Sequence, residues 1–221
     1  MMNRLAVAAW LAVFTVVPSI AMAGDNGLGV KASTLGAGIE YERQFNENLG
    51  MRLGVNYFQI DSDFDVGDIS YDANVDLQSA SAVVDWYPFA GAFRITGGIM
   101  HNGNEANISA TPNTPVTIGD IKYTPEMVGV LSGSVTFNTT APYAGIGWAS
   151  GRDKSKGLSF AFDVGILFQG SPNIEDYQAS GPLADDPTFR AELDKEIAKI
   201  EDDLDSYKYY PVVALTLTYR F

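Results

Sequence analysis

The side chains with the most chemistry to offer are charged, and they come in opposite pairs. Glu40 and Arg52 flank the short turn Phe45-Asn46-Glu47-Asn48, while Asp85 and Arg94 flank Pro88-Phe89-Ala90-Gly91. If the flanking segments are antiparallel strands, with Arg43 paired to Leu49 and Trp86 to Phe93, Glu40 stands opposite Arg52 and Asp85 opposite Arg94. A carboxylate facing a guanidinium makes charge-assisted, often bidentate hydrogen bonds. Lys31, Glu42, Asp163 and Arg220 fall on the same face by parity. Such a set can guide small charged solutes through a polar conduit, or lock a polar interior shut as a charge-paired plug. Covalent chemistry lacks its parts, because there is no cysteine and the single imidazole is His101. The odd parity of His101 places it with Phe93, Ile95 and Ile99 rather than beside a nucleophile, so no catalytic residue is assigned and the chain is read as a non-enzyme. Cys/His zinc sites are excluded with the thiols.

The composition narrows the partners. Among 221 residues, 27 carboxylates stand against 14 Lys and Arg, for a net charge of −13, which leaves no basic stripe for nucleic acid. A 46% hydrophobic and 12% aromatic content is too high for a disordered chain. The mean hydropathy of 0.00 selects neither a soluble nor a membrane class, so the arrangement of the apolar residues has to decide. At the start, Arg4, the apolar run Leu5–Val17, Pro18 and the small-x-small Ala21-Met22-Ala23 read as a secretory signal over residues 1–23, cleaved after Ala23. That run is too short for a membrane helix, which needs about 20 apolar residues.

The segments that must position the charged pairs alternate with period two. Leu49, Met51, Leu53, Val55 and Tyr57 share one face, as do Leu158, Phe160, Phe162, Val164, Ile166 and Phe168, and the opposite faces carry small, polar or charged residues. A sandwich core would need large apolar side chains on that second face. The chain closes on Leu217, Tyr219 and Phe221, an aromatic ending that resembles the assembly signal of bacterial outer-membrane barrels. Short turns alternate with long connections at about 61–70, 111–131 and 171–206, as they do between two differently exposed rims. Even parity then requires a further tight hairpin at Thr34-Leu35-Gly36, which gives eight strands. The expected fold is all-β, a transmembrane antiparallel up-and-down β-barrel of eight strands over residues 24–221, with one helix in the last extracellular loop.

In so narrow a barrel side chains fill the interior, so inward charges have to pair. Asp72, Asn74, Asp76 and Gln78 are read as inward, as is Asp85 of the opposite parity, which predicts a bulge near Ser79-Ala80-Ser81; a second is expected near Ala141-Pro142. Asp61, Asp63, Asp65 and Asp68 punctuate the first long loop. With Asp72 they echo a calcium loop, but Val66 occupies the sixth position and no Glu closes the set. They are read as a solvated acidic loop, and no metal or cofactor is assigned. In the last loop Asp186 caps a helix beginning at Pro187 and ending near 205, with Phe189, Leu193, Ile197, Ile200 and Leu204 on one face. Glu192, Glu196, Asp202 and Asp203 lie on its acidic side and are expected, with the first loop, to form a negative mouth that enriches cations. The apolar stripe has to pack on the barrel mouth, as a lid or a cap, or on a partner.

Three stretches together resemble the CarO-type ornithine-uptake porins: Ala141-Pro142-Tyr143-Ala144-Gly145-Ile146-Gly147, the Gly165–Pro172 stretch ending Phe168-Gln169-Gly170-Ser171-Pro172, and the acidic helix leading into Tyr207-Lys208-Tyr209-Tyr210-Pro211-Val212. Gly67-Asp68-Ile69 fits the same pattern, and Asp85-Trp86-Tyr87-Pro88-Phe89 is shared more widely among small outer-membrane barrels. The resemblance implies an eight-stranded outer-membrane barrel and a route for small cationic solutes such as basic amino acids. The expected partners are outer-membrane lipid and lipopolysaccharide, the barrel-assembly machinery and small cationic solutes. The rival expectation is a closed structural or adhesive barrel whose acidic outer loops bind partners.

Overall fold

The computed structural model describes residues 25–151 and 156–221, so the expected signal segment lies outside the described residues. The strands are β1 (Asn26–Ser33), β2 (Gly36–Gln44), β3 (Leu49–Val66), β4 (Ile69–Trp86), β5 (Phe93–Asn102), β6 (Glu105–Pro112), β7 (Val116–Ile118), β8 (Ile121–Tyr123), β9 (Leu131–Thr136), β10 (Thr140–Ala149), β11 (Gly157–Phe168), β12 (Asn173–Ala179) and β13 (Tyr209–Arg220). Two helices, α1 (Pro125–Val128) and α2 (Pro187–Leu204), lie between β8 and β9 and between β12 and β13. All pairings are antiparallel, and β1-β2-β3-β4-β5-β10-β11-β13 closes on itself through β1 and β13. Eight strands therefore form the ring. The larger strand number among the described residues arises because three ring strands are interrupted and resume outside it, as β6, β9 and β12, and because β7 and β8 form a separate hairpin. Thus Ser79↔Asn102 below and Asp76↔Glu105 above the gap keep one register from β5 into β6. Likewise Thr140↔His101 and Thr136↔Glu105 keep one register from β10 back to β9.

Above the ring, β3, β4, β6, β9 and β12 make a protruding sheet, here called the blade. Its height follows from strand length. β3 and β4 have 18 residues each, whereas a membrane strand needs only about 9–11. The expected loop at 61–70 is therefore strand, paired from Leu49↔Trp86 to Val66↔Ile69 around a two-residue turn at Gly67-Asp68.

The same ladder corrects the expected bulge near Ser79-Ala80-Ser81, for it runs without a register break. What changes there is the surroundings. Below Tyr57↔Gln78 the outer face is apolar and the inner face polar; above it the outer face carries Gln59, Asp61, Asp63 and Asp65 of β3 and Asp72, Asn74 and Asp76 of β4. The blade's inner face carries Phe58, Ile60 and Phe64 against Leu77, Val75 and Tyr71. Lipid meets the outside of the ring and water the outside of the blade, so the amphipathic pattern inverts while the side chains keep their alternation. The bulge expected near Ala141-Pro142 is also absent, since β10 pairs evenly with β5 from Thr140 to Trp148; the strand is broken earlier, between Thr136 and Thr140.

Both hairpin registers differ from expectation by two residues. Arg43 faces Met51, which sets Glu42 opposite Arg52 and Glu40 opposite Gly54; Trp86 faces Ile95, which sets Asp85 opposite Thr96. The turns are wider than assumed, with Asn46 Oδ1 accepting from Asn48 N–H at 2.8 Å and Phe45 N–H donating to the Leu49 carbonyl at 2.9 Å. A slip of two preserves which face each side chain takes, so the charges of the two hairpins stay inward, whereas Asp72, Asn74, Asp76 and Gln78, expected inward, lie on the opposite face because the ladder has no bulge to turn them. The tight turn after β1 forms as expected, with Ser33↔Gly36 its last pair.

α2 is capped as its sequence requires. Asp186 Oδ1 accepts from Thr188 and Phe189 N–H at 2.9 and 3.0 Å, satisfying donors that an α-helix leaves open. Phe189 and Leu193 pack with Ile118, Tyr123 and Val128 of the β7–β8 hairpin and α1, with Tyr123 edge-on to Phe189 at 5.0 Å between centroids. Farther along, Ile200 and Glu196 border a cavity of about 280 Å³ with Ile69, Tyr71, Ile108 and Val135. Ile69 and Tyr71 share the parity of Ser81 and Asp85, so helix and hairpin cover the lumen-side face of the blade.

Candidate functional site

The centre of the barrel is a single network of six charges. Arg52 of β3 donates to Asp85 of β4 through Nε at 2.6 Å and Nη2 at 2.9 Å, and its Nη1 lies 3.2 Å from Glu40 Oε1 and 3.3 Å from Asp163 Oδ2. Arg94 of β5 grips Asp163 of β11 with Nε at 3.0 Å and Nη2 at 2.7 Å and approaches Asp85 at 3.8 Å. Lys31 of β1 completes it, 3.2 Å from Glu40 Oε2. The three cations and three anions balance, and none of the six side chains is more than 8% exposed. That balance is what makes their burial tolerable, because an unpaired charge here would carry its full desolvation cost. Thr96 donates to Asp85 at 2.7 Å, and Arg94 Nη1 donates to the Tyr87 hydroxyl at 3.3 Å. Glu42 and Arg220 stand apart as their own pair, 2.6 Å apart, with Arg220 also donating to the Gly151 carbonyl.

The structure places all eight charged residues assigned to the interior on the inner face, and six of them meet. Thr96 and Tyr87 were missed, although Thr96 shares the parity of Arg94. Space for the long side chains comes from glycine. A Cβ on Gly147 would collide with the Asp163 carboxylate, and one on Gly165 with the Tyr143 hydroxyl.

A second layer, apolar, was not foreseen. Leu35 at the tip of the β1–β2 turn is 1% exposed and clusters with Val83, Met100, Ala141, Tyr143, Leu167 and Val212. The turn is held inward by Thr34 N–H donating to the Val213 carbonyl at 3.0 Å, Thr34 Oγ1 to the Pro211 carbonyl at 3.0 Å, and the Tyr210 hydroxyl to the Thr34 carbonyl at 2.7 Å. The signal was a leucine in a hairpin tip, where water-facing residues are the norm.

The acidic mouth is distributed differently from expectation. Asp61, Asp63 and Asp65 are exposed on the outer face of the blade and Asp68 at its tip; Asp61 accepts from the Asn74 side-chain amide. Asp202 and Asp203 are exposed near the end of α2. Glu192, by contrast, is buried and accepts from Asp120 N–H at 2.6 Å, while Glu196 accepts from Gly119 N–H at 3.2 Å. These two carboxylates hold the β7–β8 turn and are not part of an open rim. Lys195 bridges Glu192 at 2.7 Å and Asp120 at 2.8 Å. The Asp120 amide and the Lys195 ammonium hold the Glu192 carboxyl below its ordinary range, Lys195 does the same to Asp120, and the two carboxylates push Lys195 upward.

Outside, Leu28, Val30, Phe160, Leu215, Tyr219 and Phe221 are exposed and form part of an apolar belt, and Leu217 shares their face. His101 also points outward from β5. A closed ring with an apolar outside and an ion-paired inside is built to stand in a bilayer, since closure leaves no unpaired strand edge in the hydrocarbon.

No protein-family model and no curated protein matches the chain. Among solved structures it is similar to Acinetobacter baumannii CarO2, with a TM-score of 0.60, 22% identity, and coverage of 89% of this chain and 98% of that one. It is similar also to Acinetobacter baumannii CarO, at a TM-score of 0.58, 20% identity, and coverage of 88% and 97%. The chain has the fold of the CarO-type outer-membrane β-barrels.

Proposed function

We propose that this protein is a sealed outer-membrane barrel whose work is done by its extracellular blade, a surface for binding partners. The observation that carries the reading is the lumen itself, crossed at mid-height by Arg52, Arg94 and Asp163 and stoppered above by Leu35 and its apolar neighbours. Export by the 1–23 signal and insertion by the assembly machinery through Leu217, Tyr219 and Phe221 belong to the same reading, with lipopolysaccharide and lipid around the belt. Planar-bilayer recording tests it. The wild-type barrel gives no unitary conductance, and steady channel steps would overturn the proposal.

A second reading, uptake of small cationic solutes such as basic amino acids, is favoured by one detail. Lys31 holds Glu40 by a single contact at 3.2 Å, a place where another ammonium group could exchange in. It requires ornithine flux into proteoliposomes above that of a neutral amino acid, abolished by Glu40→Gln.

A further inference from the structure

Among the described residues, β3 from Phe58 to Val66 pairs only with β4, because the β2 ladder ends at Ala37↔Tyr57. The segment is therefore a free strand edge, and at about 3.3 Å per residue it runs for roughly 30 Å. Proteins usually blunt such edges with charged side chains, lysine above all, with proline, bulges or a covering element, and the charges that guard this one are all aspartates, which leave it open to a basic strand. Here the run Phe-Gln-Ile-Asp-Ser-Asp-Phe-Asp-Val contains neither proline nor lysine, and its ladder to β4 has no bulge. The two faces of this edge differ sharply. Inward, Phe58, Ile60 and Phe64 remain 44%, 48% and 45% exposed, because α2 and the β7–β8 hairpin lie on this face over Ile69, Tyr71, Ile108 and Val135 and leave its β3 margin open. Outward, Asp61, Asp63 and Asp65 alternate beside Asp72 and Asp76 of β4.

Resting on the reading of the blade as a binding surface, we propose that the β3 edge receives an extended segment of another polypeptide by strand addition, with basic residues alternating with apolar ones. Backbone hydrogen bonds along the edge supply affinity, and side-chain alternation supplies specificity. A strand laid antiparallel here sets every second side chain opposite an aspartate and the others over Phe58, Ile60 and Phe64. A second copy of this chain is the wrong occupant. Pairing two such edges in the registers that overlap them fully sets aspartate opposite aspartate, which is repulsive.

The test uses the barrel in lipid nanodiscs and three synthetic peptides: Lys-Val-Lys-Ile-Lys-Val-Lys, the same peptide N-methylated at the amides facing the edge, and the same composition in blocks, Lys-Lys-Lys-Lys-Val-Ile-Val. The alternating peptide is expected to bind and to slow amide hydrogen exchange within Phe58–Val66, while the other two bind weakly and protect nothing there. The triple substitution Asp61→Asn, Asp63→Asn, Asp65→Asn lowers its affinity about tenfold, as expected for three exposed charge pairs. Equal binding of the alternating and N-methylated peptides, or protection outside β3, would overturn the proposal. Bilayer recordings on the same preparation separate its failure from that of the sealed-barrel reading, since an unprotected β3 in a non-conducting barrel rejects only the docking site.

Discussion

Arg52 of β3 and Asp163 of β11 meet across the lumen, Nη1 to Oδ2 at 3.3 Å, although their strands share no hydrogen-bonded neighbour. Asp163 is also the bidentate partner of Arg94, so one carboxylate ties β11 to Arg52 on the opposite wall and to Arg94 on β5, two strands away across β10. Replacing Asp163 by Asn leaves two buried guanidiniums under-compensated. It is expected to lower stability by about 3–5 kcal/mol, the usual cost of removing one partner of a buried pair. Adding Arg94→Met to that variant recovers part of the loss by removing one stranded cation. Urea unfolding of the barrel in lipid vesicles, followed by tryptophan fluorescence, reads both; a double variant weaker than the single would contradict the assignment.

Room in the lumen is as finely set as charge. Gly165 of β11 lies against the Tyr143 ring, where a Cβ would collide with the hydroxyl. Gly165→Ala is expected to cost about 1–3 kcal/mol through overpacking. In a Tyr143→Leu background, which clears the space, the same change costs measurably less, because residues in contact couple by about 0.5–3 kcal/mol. Additive losses in the same urea titration would show that the two do not share space.

Much of this was legible in the sequence. Side-chain alternation revealed the ring strands and an interior face shared by Lys31, Glu40, Arg52, Asp85, Arg94 and Asp163, and the even strand number revealed the first hairpin at Thr34-Leu35-Gly36. The exact pairings were not, since a register slip of two leaves the alternation intact, and a long arginine still reaches its diagonal neighbour Glu40. The misplaced bulge had a different cause. A change of polarity along one face reads the same whether the strand turns over or the solvent changes, and at Tyr57↔Gln78 it is the solvent that changes. Glu192 was misplaced because its role depends on the Asp120 amide, a backbone group that no side-chain pattern announces.

The inversion makes a paired prediction. Leu215, on the outer face of the ring and 62% exposed, faces lipid, whereas Gln59, on the outer face of the blade, faces water. Leu215→Arg is expected to cost about 2–4 kcal/mol if it lies near the bilayer midplane. Gln59→Arg should stay within about 0.5 kcal/mol, like an ordinary surface change. Both are read by unfolding from vesicles, and equal penalties would place Gln59 within the membrane.

The clasp between α2 and the β7–β8 turn should respond to acid. Glu192, held by the Asp120 amide and Lys195, ionises below the ordinary carboxylate range, so the folded clasp binds fewer protons than the open chain. Its stabilisation is complete above that ordinary range and fades as pH falls through the lowered value. Lys195 is shifted upward by Asp120 and Glu192, so its share persists below the ordinary lysine range and is lost only as pH rises past its raised value in strong alkali. The clasp is therefore closed at neutral pH and opens in acid. Nitroxide labels at the exposed positions Lys122 on β8 and Lys199 on α2 report it by pulsed electron-spin distance measurement. The distribution should be narrow near pH 7 and broaden toward about pH 3, where carboxylates are largely protonated. Glu192→Gln, which keeps an acceptor for the Asp120 amide but gives up the ion pair, should broaden it already at neutral pH. A distribution in the native side-chain background that stays narrow into acid would show that the helix is held by Phe189 and Leu193 alone.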